Sequence, residues 1–323
     1  MSPWKRFLAL AALAHIPLAP AHAAGGYPDR PITLVVGYAP GGGADITARL
    51  LGQRLSEQLG VSVVVENRPG AGQNIGAAYV ARSAPDGYTI LVSSSAMGIN
   101  PSLFPRLEYD PVKSFAPVAV FGQSPNLLVA SSTVGVGSVQ ELVAYGRKFP
   151  GRLNFSSSGH GSTQHLSGEL FKQITGIEAV HVPYKGSGPS VNGVLAGEVQ
   201  FTFVNIPSIA TVLGSDKIKV LAVTSEQRLR SLPDVPTMAE AGIDGMVVSA
   251  WYGLMAPAGT PESVVATLNQ AANDAVRDEA FKAQLVQAGV EPMTSTPAFF
   301  AEFLQQEIDR WKSVIRAAGA KVD

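Results

Sequence analysis

The sequence predicts an α/β protein built of two lobes, with a cleft between them. The chain has 323 residues, of which 46% are hydrophobic and 15% charged. This composition is typical of a globular protein, and about 150 residues per domain gives two domains. Short β-branched runs alternate with amphipathic helical stretches, as in a mostly parallel sheet covered by helices on both faces. The alternation stops near residue 93 and starts again near residue 127, which predicts a second lobe.

The first lobe is predicted from a β-α-β-α-β order. The first helix carries apolar residues at helical spacing and ends at Gly60, a residue type favoured just after a helix. The predicted strands cover residues 32–36, 61–66 and 89–93, and the predicted helices cover 46–59 and 75–83.

The second lobe repeats this order, and the chain ends in helices. One apolar stripe near the end repeats every three to four residues. Two extended segments, 124–130 and 247–256, are predicted to connect the lobes, so that the chain leaves lobe 1, builds lobe 2 and returns. Lobe 1 is therefore predicted as residues 26–124 with 249–323, and lobe 2 as 125–248, with a cleft that can hinge. The predicted strands of lobe 2 cover 127–130, 153–156, 179–182, 199–204 and 218–223, and the stripe consists of Phe300, Leu304, Ile308, Trp311 and Ile315.

The N-terminus has the three parts of a secretory signal. Lys5 and Arg6 precede an apolar stretch over residues 7–16, and Ala21-His22-Ala23 fits the cleavage pattern. The apolar stretch is shorter than the roughly 20 residues that span a bilayer. We expect cleavage near Ala23 and export to the periplasm.

Charge and cysteine content exclude several classes of function. Without Lys5 and Arg6 the basic residues fall from 24 to 22 against 25 acidic ones, a net charge of −3. No basic run remains, so a nucleic acid is not an expected partner. The chain has no Cys, which excludes thiol catalysis and cysteine-bound metals. No Lys follows the first glycine cluster as a Walker A loop requires, and residues 70–76 miss the spacing of a dinucleotide loop, so no cofactor is expected.

Two turns between a strand and a helix are candidates for anion binding. The first is Tyr38-Ala39-Pro40-Gly41-Gly42-Gly43-Ala44-Asp45 in lobe 1, and the second covers residues 156–163 in lobe 2. Glycines and a helix start expose N–H groups and a partial positive charge. Asp45 is placed to cap its helix. A tight connection without a ligand is the alternative for each turn, but two such turns facing one cleft could hold both ends of an organic acid.

Histidines and serines raise two further possibilities. His160, His165 and His181 are the only histidines after the signal. His160 and His165 are five residues apart, not four, so no zinc pair is expected on one helix face. A serine hydrolase using Ser158 or Ser162 with a histidine stays an alternative, although the chain has no G-x-S-x-G elbow. Tyr184 and Lys185 either line the cleft or lie in a structural turn.

A set of blocks in fixed order resembles one family. Together they resemble the Bug-type extracytoplasmic solute receptors, the substrate-binding components of tripartite tricarboxylate transporters, over essentially the whole chain after the signal. The blocks are Tyr27-Pro28-Asp29-Arg30-Pro31-Ile32, Pro40-Gly41-Gly42-Gly43-Ala44-Asp45, Gly70-Ala71-Gly72, Pro85-Asp86-Gly87-Tyr88, Asn100-Pro101-Ser102-Leu103, Tyr109-Asp110-Pro111, Gly161-Ser162, His165-Leu166, His181-Val182-Pro183-Tyr184-Lys185-Gly186, Leu232-Pro233-Asp234-Val235-Pro236-Thr237 and Glu240-Ala241-Gly242.

The resemblance implies a type II periplasmic-binding-protein-like fold with an interlobe cleft and two crossover strands. It further implies a monomer that captures a small organic carboxylate for membrane permease subunits, with no catalysis, cofactor or metal. A ligand-binding sensor for a signalling partner is the alternative. The ligand-binding residues that it implies are Tyr38, Gly41, Gly42, Gly43, Ala44, Asp45, Ser95, Ser158, Gly161, Ser162, Thr163 and Asn205.

Three positions depart from the family's pattern. Gln200 and Asn205 stand where the family often has Asp, and Met97 stands where a His is frequent. The loss of acidic groups removes partners for a ligand ammonium. We therefore expect an acid without an amino group, so that aspartate and glutamate bind more weakly than succinate-like acids.

Overall fold

The computed structural model describes residues 26–38, 40–41, 43–184 and 186–319. The predicted signal over residues 1–23 lies outside this range, as do Gly42 and Lys185. The described part is an α/β structure with two lobes, as the sequence predicts, and its strands form one continuous sheet across both lobes.

Strands and helices alternate along the chain in both lobes. The strands are β1 Ile32–Val36, β2 Val63–Asn67, β3 Thr89–Ser94, β4 Phe115–Ser131, β5 Leu153–Ser157, β6 Ala179–Pro183, β7 Phe201–Asn205, β8 Ile218–Val223, β9 Ser249–Pro257 and β10 Glu291–Pro292. The helices are α1 Gly43–Leu59, α2 Asn74–Ala81, α3 Ala96–Leu103, α4 Val139–Lys148, α5 Thr163–Thr175, α6 Ser187–Leu195, α7 Ile206–Ile209, α8 Glu262–Arg277, α9 Glu279–Gln287 and α10 Pro297–Ala318.

The sheet of lobe 1 has the order β2-β1-β3-β9-β4, with β10 paired to β4. Strands β1, β2 and β3 are parallel, and β9 runs antiparallel to β3. The last residue of β3, Ser94, lies opposite Tyr252 near the start of β9. The carboxyl ends of β1 to β3 therefore lie at the end of the sheet where the chain passes into lobe 2.

The sheet of lobe 2 continues from β4 through β7 and β5 to β6, and β8 also pairs with β4. Strands β5, β6 and β7 are parallel to one another. Asn205, the last residue of β7, lies opposite Asn126, which follows directly on the lobe-1 part of β4. The carboxyl ends of these three strands thus face lobe 1, and ligands of open α/β sheets bind outside such ends.

Two strands carry the chain between the lobes. Strand β4 pairs with β9 from Phe115 to Pro125 and then with β7 and β8. The register of the β4–β9 pair shifts twice, between Pro117 and Ala119 and between Val120 and Gly122, within the lobe-1 part of the pair. The predicted crossovers at 124–130 and 247–256 coincide with this pair.

Helix α10 packs against both lobes. Its first half contributes Phe300 and Leu304 to a core cluster of lobe 1. Its second half contributes Trp311, Val314 and Ile315 to the main cluster of lobe 2. The predicted boundary assigned the whole of residues 249–323 to lobe 1, whereas the second half of this helix is packed as part of lobe 2. Across residues 26–319 as described, the helices all fall short of the length and apolar character that crossing a membrane requires.

Candidate functional site

The loop before α1 is organised around the carboxylate of Asp45. The Gly41 N–H donates to Asp45 Oδ2 at 2.9 Å, and Asn67 Nδ2 donates to Oδ1 at 2.9 Å. Arg49 makes a bidentate contact with the same carboxylate, since its Nε donates to Oδ2 at 3.0 Å and its Nη2 donates to Oδ1 at 2.8 Å. Burial alone would raise the Asp45 pKa, but the bonds from Arg49, Gly41 and Asn67 outweigh it and hold the pKa below its usual value. The sequence predicted that Asp45 accepts an N–H bond from its own helix as a cap. In the structure its carboxylate instead accepts the N–H of Gly41, in the loop before the helix.

Tyr38 belongs to a chain of side-chain hydrogen bonds behind this loop. Its hydroxyl lies 3.0 Å from Ser94 Oγ, which in turn donates to Gln73 Oε1 at 2.6 Å. Because Ser94 has one proton and gives it to Gln73, Tyr38 must donate to Ser94. The predicted ligand residue Tyr38 therefore has its only proton engaged within the protein.

Ser95, which follows the end of β3, is hydrogen-bonded to the crossover strand β9. Its Oγ accepts from the Trp251 N–H at 2.9 Å and lies 3.4 Å from the Ser249 carbonyl. The residue is buried. In this arrangement the predicted ligand residue Ser95 positions the start of β9, and both of its bonds go to that strand.

In lobe 2, the loop over residues 158–162 is fixed by the start of α5. Ser162 caps this helix, since its Oγ accepts from the His165 N–H at 3.2 Å and donates to the Gly159 carbonyl at 2.8 Å. The buried Gln164 accepts from the Ser158 N–H at 2.7 Å. Thr163 begins the helix and is half-buried. The predicted residues of lobe 2 thus form one loop in front of a helix start, matching the loop at α1.

Gly161 brings this loop against lobe 1. A β-carbon added at Gly161 would lie 2.1 Å from Leu103 Cδ2 at the end of α3, and the φ of Gly161 is +73°. Leu103 and Ile99 belong to the same buried cluster as Leu166 of α5. The loop of lobe 2 is therefore packed on helix α3, which follows strand β3 of lobe 1. Helix α3 starts at the same end of the lobe-1 sheet as the other candidate loop, which follows β1.

Three imidazoles meet beside the same loop. Atoms of His160, His165 and His181 that could bind a metal lie within 4.8 Å of one another. The His165 and His181 rings, however, are stacked, with centroids 3.9 Å apart and planes 23° apart. An imidazole binds a metal ion in the plane of its ring. Two stacked rings cannot both have the same ion in their planes. His165 Nδ1 also accepts the Gly161 N–H at 3.2 Å, and His181 Nε2 lies 2.7 Å from Ser157 Oγ, so these two rings pack as aromatic side chains.

Both inner imidazoles are held neutral. Burial, with His160 and Lys172 nearby, lowers the pKa of His165 to about 4. Burial, with the His165 ring against it, lowers the pKa of His181 to about 3. Neutral rings are therefore part of the structure of this loop at pH 7.

The three departures from the family's pattern lie in different places. Met97 is fully buried in the core of lobe 1. Gln200 precedes β7 and accepts from the Asn154 N–H at 2.9 Å, at the end of the sheet remote from lobe 1. Asn205 ends β7 at the boundary and is half-buried. Only Asn205 of these three can bear on a ligand between the lobes.

Comparison with known proteins places the chain in a family. A family model described as "Tripartite tricarboxylate transporter family receptor" matches residues 47–320. The chain belongs to this family. Receptors of this family are periplasmic solute-binding proteins that work with membrane transporter subunits.

Relatives of the receptor match over most of its length. Protein BugT of Bordetella pertussis is 39% identical over 298 residues, which cover 92% of this chain and 91% of BugT. Among solved structures, R. palustris Rpa4515 with adipate is 38% identical with a TM-score of 0.81, covering 92% of this chain and all of that one. MatC from Rhodopseudomonas palustris with bound malate is 35% identical with a TM-score of 0.76, covering 90% of this chain and 100% of that one.

The receptor's serines are not arranged as hydrolase nucleophiles. Ser162 bonds backbone groups, and the described bonds of Ser158 are made by its backbone. Ser157 does contact an imidazole, but it is fully buried and its hydroxyl donates to the Gly159 carbonyl. Proteins of this family and the similar solved structures are solute-binding receptors rather than enzymes.

Two features of the receptor's site were missed in the sequence. The imidazole cluster joins a loop, a helix and strand β6, and spacing along one helix carries no signal for such a cluster. Tyr252 reaches the start of α1 from β9, more than 200 residues later. The only available signal was the predicted return crossover at 247–256, which contains this tyrosine.

Replacing Gly161 with alanine is expected to lower the receptor's free energy of unfolding by about 1–3 kcal/mol. The new methyl group would clash with Leu103 and would sit at a φ that disfavours L-residues. Urea unfolding of wild type, G161A, L103A and the double variant measures the effect. We expect the double variant to lose less than the two single losses combined, because L103A removes the clash. Additive losses would contradict the contact between this loop and α3.

Proposed function

We propose that the receptor captures a small organic acid without an amino group, such as a dicarboxylate, in the cleft between its lobes. The loop over residues 38–45 and the loop over residues 158–163 hold the two ends of the acid. The observation that carries this proposal is the matched pair of helix starts, α1 and α5, each following a strand whose carboxyl end faces the other lobe. Adipate in one similar structure and malate in another support the ligand class.

Electrostatics favours an anion at these two places despite the acidic chain. Each helix start presents unpaired N–H groups and about half a positive charge. The negative charge of Asp45 is neutralised by Arg49 at 2.8 Å, so the loop of lobe 1 does not repel a carboxylate. A hydrogen bond from such donors to a charged group contributes roughly 1.5–3 kcal/mol.

Membership of the family supports a proposal for the cellular role. We infer that residues 1–23 are removed during export, that the mature receptor is a monomer in the periplasm, and that it delivers its ligand to permease subunits in the membrane. Ligand contacts with both lobes favour the closed form, and closure distinguishes loaded from empty receptor.

A thermal-shift panel tests the ligand class. Malate, succinate, adipate and citrate are compared with aspartate, glutamate and the uncharged diamide adipamide. A bound acid at a hundred times its dissociation constant should stabilise the receptor by roughly 2.7 kcal/mol, and adipamide should have no effect. Stabilisation by none of the acids, or stronger stabilisation by aspartate than by succinate, would contradict the proposal.

Matched variants test the two loops. S162A removes the cap of α5, and S138A removes an equivalent cap, since Ser138 accepts the Glu141 N–H at 3.2 Å at the start of α4. Each should cost about 1 kcal/mol of stability, but only S162A should weaken acid binding. D45A should weaken binding as well, whereas D110A, which removes a carboxylate that holds another loop of lobe 1, should not. Unchanged affinity in both S162A and D45A would refute the assignment of the loops.

A further inference from the structure

The hydroxyl of Tyr252 lies at the start of α1. Tyr252 is on strand β9, is only 6% exposed, and belongs to the core cluster that α1 packs on. A β-carbon added at Gly43 would lie 2.6 Å from the Tyr252 hydroxyl oxygen. Glycine is therefore required at the first residue of α1, because the tyrosine hydroxyl occupies the space beside it.

This hydroxyl has no hydrogen-bond partner among the residues that the structure describes. Buried tyrosine hydroxyls normally have one. The two comparable tyrosines of lobe 1 do, since Tyr109 donates to Asn74 at 2.7 Å and Tyr38 pairs with Ser94 at 3.0 Å. A donor on a largely buried side chain that lies at a helix start, and that no described residue accepts, points to a group that is supplied from outside the chain.

Several donors around the start of α1 are already bonded within the protein. The Gly41 N–H donates to Asp45, and the single proton of Tyr38 is given to Ser94, because Ser94 donates to Gln73. The guanidinium of Arg49 is bound to Asp45. Of the hydroxyl groups discussed at this helix start, Tyr252 has the one whose proton is not given to a described residue.

We propose that Tyr252 is a ligand-binding residue, whose hydroxyl donates a hydrogen bond to the carboxylate that the first turn of α1 holds. This inference rests on the proposed function and adds a side-chain donor to the backbone N–H groups there. Burial, with Tyr38 nearby, raises the pKa of the Tyr252 hydroxyl well above its usual value, so the group stays protonated near neutral pH. The start of α1 would then hold a carboxylate through neutral donors alone.

The test is isothermal titration of wild type and Tyr252→Phe with adipate and with malate. Loss of a hydrogen bond to a charged group should raise Kd about ten-fold or more. The factor should be similar for every acid of the two that wild type binds, because the hydroxyl contacts the anchoring carboxylate rather than the chain beyond it. Tyr109→Phe is the matched control, since it removes a hydroxyl whose partner is Asn74, and its Kd should stay within two-fold of wild type.

The outcomes distinguish a failure of the role of Tyr252 from a failure of the proposed function. If wild type binds adipate or malate and Tyr252→Phe binds it equally well, the role of Tyr252 is refuted and the proposed function stands. If wild type binds neither these two acids nor any other acid of the panel, the proposed function fails and the role of Tyr252 fails with it. Thermal unfolding without ligand should show similar stability for Tyr252→Phe and wild type. A large loss there would assign the hydroxyl to folding instead.

Discussion

Replacing Glu307 with alanine is expected to lower the free energy of unfolding by about 3–5 kcal/mol. Glu307 is 7% exposed, and its Oε2 accepts the indole N–H groups of Trp251 at 3.1 Å and Trp311 at 3.0 Å. Without the carboxylate, two buried donors lose their acceptor, at a cost of roughly 1–3 kcal/mol each. The half-buried Arg310, 3.7 Å away, also loses its counter-charge.

The expected loss at Glu307 is large because this carboxylate joins the lobes. Trp251 lies on the crossover strand β9 and Trp311 packs in the main cluster of lobe 2. E307Q is the matched control, since its amide oxygen still accepts from the indoles, and it should lose less than half as much as E307A. Urea unfolding followed by tryptophan fluorescence measures both variants. A loss below 1 kcal/mol in E307A would contradict the role of the carboxylate.

Most strands and helices could be predicted because their signals are local. The β-branched run of β1 and the helical spacing of α1 lie within 30 residues, and both elements are found within a few residues of their predicted places. Strand β4 is much longer than the predicted 127–130. Pro117, Gly122 and Pro125 are typical strand breakers, yet two register shifts and the pairing with β9 keep the strand continuous.

Helix α3 could not be predicted from its residues alone. Gly98 and Pro101 both weaken a helix, and no helix was predicted there. The helix forms because α10 packs on it, and a β-carbon at Gly98 would lie 2.9 Å from Glu307 Cβ. The glycine that argues against a helix locally is what permits its tertiary contact.

The candidate site likewise has features that the sequence predicts and features that it does not. The loops before α1 and α5 were predictable, because glycines between a strand and a helix start have a local signature. What each side chain does there depends on distant partners. Asp45 is engaged by Asn67 as well as Arg49, and Ser95 is engaged by Trp251. The sequence therefore predicts where the candidate site lies more readily than what each residue does there.

Acid is expected to destabilise the receptor well before its carboxylates titrate. His165 has a folded-state pKa of about 4, against about 6.5 in an unfolded chain. Between these values the unfolded chain binds a proton that the folded chain does not, so stability falls as pH falls, by up to about 1.4 kcal/mol per pH unit. From pH 6.5 to 5.0 His165 alone accounts for about 1.5 kcal/mol, and the half-buried His181 adds a smaller part because solvent screens its charge.

The neighbouring charges work in the same direction. His160 faces both inner rings, and the Lys172 ammonium, which bonds Glu169 at 2.8 Å, adds a further positive charge. A proton on either inner imidazole would therefore be both poorly solvated and repelled. The same rings hold Gly161 and Ser157, so protonation should loosen the loop of lobe 2 first and weaken acid binding over the same pH range.

Two measurements check this acid effect. Urea unfolding at pH 7.5, 6.5, 5.5 and 5.0 should show a steeper loss for wild type than for the H165Q/H181Q variant, whose amides do not titrate. Residues 26–319 contain three histidines, so NMR can follow each of these imidazoles in the folded wild type even if that variant does not fold. We expect the His165 and His181 rings to stay neutral down to pH 5. Titration of both rings near pH 6.5 would mean that the stacked pair is not held as described, and the loop that it supports would lose its basis as a rigid half of the site.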